Sequence, residues 1–143
     1  MNLKPIGVVY SEYKKRGDAP RQWEGGISEI EVFKEYEKGL KDVETFSHLH
    51  VLYWLHESEG YSLSVNTPWD TKPHGLFAAR SPHRPNPIGY SVVKLLGREG
   101  NKLRVEGLDA IDGTKVLDIK PYVPRIDSKP EAGSGWLEGK FRC

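Results

Sequence analysis

Cysteine is almost absent from this chain. The only one is Cys143, the last of 143 residues. An intrachain disulfide and a four-cysteine zinc site are therefore excluded. No apolar run approaches the roughly 18 residues that a membrane-spanning helix needs. Residues 1–20 lack the uninterrupted apolar core of a signal peptide, so a reducing cytoplasm is the expected location. Neither sign of charge dominates: 21 Lys and Arg stand against 20 Asp and Glu, a formal net charge of +1. This excludes a polybasic tail or an acidic disordered chain, although a local basic face can coexist with a balanced total. The G-x-G-x-x-G nucleotide signature is also missing. Gly133-Ser134-Gly135 runs into Trp136-Leu137-Glu138, with no third glycine and no helical pattern. A Rossmann-type cofactor site is not expected.

What remains is an ordinary globular composition, 37% apolar and 29% charged. The length suits a single domain over residues 1–143, able to bury about two-thirds of its unfolded surface. Glycine (15) and proline (10) are spread along the chain and leave little room for long helices. Short strands are expected at residues 4–10, 27–33, 48–56, 75–79, 88–96, 102–108 and 115–119, with a further one at 61–65. Residues 35–43 suit one or two helical turns broken at Gly39. The 11–26 segment reads as a long loop, and the chain from residue 120 onward as extended or irregular. Glu99-Gly100-Asn101 and Asp112-Gly113 are hairpin signals between β-rich runs. In residues 48–56 (HLHVLYWLH) the even positions, His48, His50 and His56 among them, share one face of a strand. The expected fold is all-β: a small closed or nearly closed β-barrel with short helical turns and long loops.

Residues 77–90 read FAARSPHRPNPIGY. Pro82, Pro85 and Pro87 each fix their own φ and push the preceding residue towards extended geometry. The segment is stiff. It lacks three backbone N–H donors, so it is no phosphate cradle. It can hold Arg80, His83, Arg84 and Asn86 in set directions at low entropic cost, which is what a binding site requires.

Residues 80–89 (RSPHRPNPIG) resemble the signature loop of the TsaA-like or TrmO family of tRNA methyltransferases. Pro20-Arg21-Gln22, residues 46–49 (FSHL) and residues 107–122 (GLDAIDGTKVLDIKPY) agree with it in family order, and the likeness spans nearly the whole chain. His50 stands where many members have Trp, Ala79 where Thr is common, and Tyr90 where Leu or Met is common. The resemblance implies a β-barrel that binds S-adenosylmethionine, works as a homodimer and methylates threonylcarbamoyl-adenosine beside the anticodon of a tRNA. It places the cofactor against Pro20, Arg21, Gln22, His56, Glu57, Arg80, Tyr90 and the turn Asp112, Gly113, Thr114 and Lys115. Asp118 and Tyr122 are the candidates for chemistry on the acceptor side.

Methyl transfer from a sulfonium is an in-line displacement. Its main requirements are alignment and exclusion of water, and alignment alone contributes on the order of 7–11 kcal/mol. Arg80 suits the cofactor carboxylate, because a guanidinium grips it through a fork. The acceptor nitrogen must lose a proton, which calls for a weak base or an ordered water. No metal is expected: in one straight strand His56 lies about 20 Å from His50 at roughly 3.3 Å per residue, too far to share an ion with it. The competing reading is a non-catalytic RNA-binding barrel. Lys14, Lys15, Arg16, Arg21, Lys72, Arg84 and Arg125 would form its basic rim, and Trp23, Trp69 and Tyr122 would stack unpaired bases. Binding of S-adenosylmethionine without RNA separates the two readings.

Overall fold

The computed structural model describes residues 1–14 and 26–140. Pro20, Arg21, Gln22, Lys15, Arg16 and Trp23 lie outside the described residues. The described chain divides into two compact units. One comprises Met1–Glu57 with Pro87–Tyr122, the other Ser58–Asn86 with the chain from Val123 onward.

The first unit is a closed barrel. Its strands are β1 (Gly7–Tyr10), β2 (Ile27–Val32), β3 (His48–Trp54), β6 (Ile88–Glu99), β7 (Lys102–Glu106) and β8 (Lys115–Pro121). They follow the order β1-β2-β7-β6-β3-β8, and antiparallel pairing of β1 with β8 closes the ring. Alternation along each strand decides what points inward. On β3 the odd positions Leu49, Val51 and Tyr53 are buried, and the even positions are half-buried on the outer face. Val9 of β1, Ile30 and Val32 of β2, Val93 of β6, Leu103 and Val105 of β7 and Val116 of β8 join them in the core, with Leu40, Leu108 and Ala110 from outside the strands. Fully burying one such side chain is worth about 1.5–3 kcal/mol. Closure also removes free strand edges.

Two departures from the sequence expectation concern the barrel. The strand from His48 stops at Trp54, and the Leu55–His56 step turns away, with the His56 N–H donating to Trp54 O at 3.0 Å. His56 therefore does not share the strand face of His48 and His50. The helical segment is a 3-10 run, Lys34–Leu40, that passes through Gly39 instead of breaking there, because it buries Leu40 against the core.

The second unit contains a two-stranded pair, β4 (Ser64–Val65) and β5 (His74–Gly75). The strand expected at residues 75–79 is instead a 3-10 turn, Leu76–Ala78. The turn buries Leu76 and leaves Phe77 76% exposed, which a short apolar run cannot reveal by its periodicity. Beyond the barrel lie one helical turn, α1 (Pro124–Asp127), and a 3-10 turn, Gly135–Leu137. Pro124 starts α1, where its missing N–H costs nothing.

Asp70 organises this unit. Its carboxylate accepts the N–H of Thr71 at 2.7 Å and of Lys72 at 3.4 Å. It also lies 2.9 Å from His74 Nε2. A carboxylate only accepts, so Nε2 carries the proton. The His74 ring stacks on Trp136 at 3.8 Å between centroids, and Trp136 Nε1 donates to Ala78 O at 2.8 Å. The His74 hydrogen bond, followed by those backbone donors, pulls the Asp70 pKa from 3.8 to about 2. A depressed acid stabilises the fold above its unfolded value and loses that contribution as pH falls through its folded one. Asp70 should thus hold the His74–Trp136 clasp fully above about pH 4 and release it between pH 4 and about 2. Acid unfolding followed by Trp fluorescence should show this step in the wild type and lose it in Asp70→Asn.

Candidate functional site

In the barrel unit the turn Asp112-Gly113-Thr114-Lys115 enters β8. Asp112 Oδ1 accepts the Ser11 N–H at 2.9 Å, and Lys14 Nζ lies 3.2 Å from Oδ2. These partners hold the Asp112 carboxyl below its ordinary value, the Ser11 hydrogen bond most of all. The Gly113 N–H donates to Val9 O at 2.8 Å, and the buried Thr114 hydroxyl donates to Ile111 O at 2.7 Å. The turn is thus tied to the end of β1 and to Ser11 and Lys14 just beyond it. Gly113 has φ +84°, and among the described residues no atom lies within 4 Å of where a Cβ would stand. A glycine there lets a ligand approach the backbone closely. The side chains of Asp112 and Thr114 are already engaged, so the turn offers mainly backbone. Lys14, a candidate for the RNA rim, is paired to this turn.

His56 and Glu57 are exposed where the chain leaves β3. The Leu55 N–H donates to Pro87 O at 2.8 Å, joining that exit to the last proline of the signature. Tyr90 stands on the outer face of β6, 39% exposed. Its hydroxyl lies 2.8 Å from His50 Nδ1, and the two rings stack at 5.7 Å. His50 also faces Tyr122, ring centroids 5.3 Å apart. The structure thereby brings a cofactor candidate, Tyr90, and an acceptor-side candidate, Tyr122, onto one residue. The sequence marks His50 only by its place beside His48 and as a departure from the family. The signal that could have found the cluster is the pairing of β3 with both β6 and β8, since register decides which outward rings meet.

Asp118 also sits on the outer face, opposite Leu52. A bulge between Val116 and Asp118 makes Leu117 the extra residue and restores Ile119 to the core side. Asp118 Oδ1 accepts the Ile119 N–H at 2.9 Å, and Lys120 Nζ lies 3.2 Å from Oδ2. Asp118 borders a cavity of about 510 Å³ at that end of the barrel, with Ile6, Tyr36, Phe46 and Ile119 in its walls.

In the second unit the proline-rich loop is held by its own residues. Arg84 Nη1 donates to Ala79 O at 2.9 Å and to Ser81 O at 3.1 Å, and its guanidinium lies over the Phe77 ring at 5.7 Å. The Ser58 hydroxyl donates to Pro82 O at 2.8 Å and lies 3.1 Å from His83 Nδ1. Arg84 and His83 therefore brace the loop. Arg80 is exposed.

A six-stranded closed barrel with a clasped Asp-Gly-Thr-Lys turn and a proline-braced arginine loop is a distinctive combination. The profile of the tRNA-methyltransferase O N-terminal domain matches residues 8–128, and the chain belongs to that family. It is 54% identical to a probable S-adenosyl-L-methionine-binding protein of Archaeoglobus fulgidus, over 96% of this chain and 38% of that protein. It is 35% identical to the tRNA (adenine(37)-N6)-methyltransferase of Escherichia coli, over 95% of this chain and 63% of the relative. The crystal structure of TrmO from Pseudomonas aeruginosa superposes with a TM-score of 0.78 at 35% identity, over 94% of this chain and 61% of that one. The chain thus spans less than two-thirds of each of these three proteins.

Proposed function

We propose that the chain is an S-adenosylmethionine-dependent tRNA methyltransferase. Its acceptor in this reading is N6 of the threonylcarbamoyl-adenosine beside the anticodon, and it acts as a homodimer in the cytoplasm. The observation that carries the reading is the family match over residues 8–128, which includes every described candidate site residue. The donor chemistry of the chain fits the cofactor. Arg80 presents a guanidinium suited to its carboxylate, Glu57 a carboxylate suited to its amine or ribose hydroxyls, and the 112–115 turn a glycine backbone suited to adenine.

When bound, S-adenosylmethionine supplies a methyl group already activated by a positively charged sulfur. The chain's task is to align the acceptor and receive its proton. Tyr122, half-buried beside His48 and His50, orients the acceptor base in this reading. Asp118 offers an ionisable oxygen on the same outer face, and its hydrogen bond to the Ile119 N–H limits its rotation. A carboxylate in that position is a reasonable weak base.

The test is to incubate the purified chain with methyl-labelled cofactor and total tRNA, taken from cells with and without the threonylcarbamoyl modification. Label should enter a single nucleoside, identified by mass spectrometry, and only in the modified tRNA. Label in unmodified adenosine would correct the substrate. RNA binding with no uptake of cofactor would leave the non-catalytic barrel.

A further inference from the structure

The outer face of β3, β6 and β8 carries an unusual set of side chains for a barrel exterior. Three rings form a row: Tyr90 on β6, His50 on β3 and Tyr122, the residue that follows β8, with successive centroids 5.7 and 5.3 Å apart. His48 extends the row, its ring 6.1 Å from that of Tyr122. None of these rings is buried. Register places Lys94 beside His48 and Lys120 beside His50, and Lys115 beside Trp54. Asp118 is the single acid among the outward positions of β3, of β6 from Ile88 to Lys94, and of β8. The face therefore combines rings and lysines with the outward apolar Leu52, Ile88 and Val92.

We infer that this face is an RNA-docking platform on which an unpaired nucleobase stacks, with His50 as its central ring. The inference rests on the tRNA reading above and adds to it the surface that receives the RNA. Three physical points favour RNA as the occupant. Every base has a π-face, so a row of rings accepts it without demanding a sequence. Lys120 is paired to Asp118, and Lys94 and Lys115 leave a net positive face that complements a phosphate backbone. The Tyr90 hydroxyl on His50 Nδ1 restrains the imidazole plane, so less freedom is lost when a base lies on it. A second copy of this chain is the rival occupant, because Leu52 and Val92 also reach this face. It would have to bring two such cationic faces together if the contact were isologous, and like charges oppose that.

The experiment uses the full chain and a fluorescein-labelled anticodon stem-loop RNA, with affinity read by anisotropy. His50→Ala should weaken RNA binding roughly 5- to 100-fold, the range for losing one stacked base. His50→Trp keeps a large ring and should stay within about threefold of wild type. Circular dichroism should show both variants folded, since the site is on the surface. Unchanged affinity in His50→Ala overturns the platform. Equal loss in His50→Ala and His50→Trp overturns stacking as its basis. A change of oligomeric state on sedimentation that accompanies the RNA loss assigns the face to a second copy and overturns the proposal. Cofactor uptake measured without RNA reports on the methyltransferase reading alone, so the two can fail separately.

Discussion

Gly89→Ala is expected to destabilise the chain by about 3–5 kcal/mol, lowering the melting temperature by roughly 10–15 °C. A Cβ at this position would lie 2.2 Å from Cε2 of Tyr53, 2.6 Å from Cδ2 and 2.7 Å from Cζ. Real side chains do not tolerate such distances, so the ring would have to move. It has nowhere to go. Tyr53 is 2% exposed and packed in the barrel core, and its hydroxyl is 2.9 Å from both Ser91 Oγ and Asp109 O. Overpacking a core costs about 1–3 kcal/mol, and leaving buried polar groups unpaired costs a similar amount. Combining Gly89→Ala with Tyr53→Leu should recover part of the loss, a coupling of order 1–2 kcal/mol between touching residues. Thermal melts of the two single variants and the double variant check this. Additive losses would place the strain elsewhere.

Gly89 is constrained by Tyr53, a partner distant in the chain that no local pattern announces. The barrel was legible because its signal is local. HLHVLYW alternates with a period of two, and its odd positions do fill the core. The Glu99-Gly100-Asn101 hairpin likewise joins β6 to β7 as its turn chemistry requires. What stayed hidden depends on register and on contacts between distant residues. Residues 75–79 read as a strand, yet burying Leu76 alone is better served by a turn. The bulge at Leu117 breaks the alternation that a strand over residues 115–119 would have. His50, Tyr90 and Tyr122 meet only because β3 lies between β6 and β8, and no spacing along the chain records that. The signature loop illustrates both cases. Its prolines and arginines could be singled out as a stiff, preorganised segment. Which of its residues hold the loop could not be sorted by type: Arg84 and Arg80 are chemically identical, yet it is Arg84 that bonds Ala79 O and Ser81 O, and Gly89 answers to the core.

That sorting yields the second large effect. Arg80→Ala should weaken S-adenosylmethionine binding tenfold or more, the scale of a lost charge-assisted hydrogen bond, while stability changes by no more than about 1 kcal/mol. Arg84→Ala should behave in the opposite sense. Its guanidinium holds two carbonyls of its own loop, Ala79 O and Ser81 O, and lies over Phe77. Removing it frees those acceptors and loosens the backbone that carries Arg80. The cost to stability should be about 1.5–3 kcal/mol, with a smaller, indirect loss of cofactor affinity. Calorimetric titration and thermal melts on the same two proteins separate the roles. A stable Arg80→Ala variant with wild-type affinity would remove Arg80 from the cofactor site. An Arg84→Ala variant that melts like wild type but no longer binds would move the carboxylate contact to Arg84. The pair is informative because both side chains belong to one short segment with the same charge, so electrostatics at long range cannot tell them apart. The hydrogen bonds that Arg84 makes to Ala79 O and Ser81 O give its substitution the larger expected cost to stability.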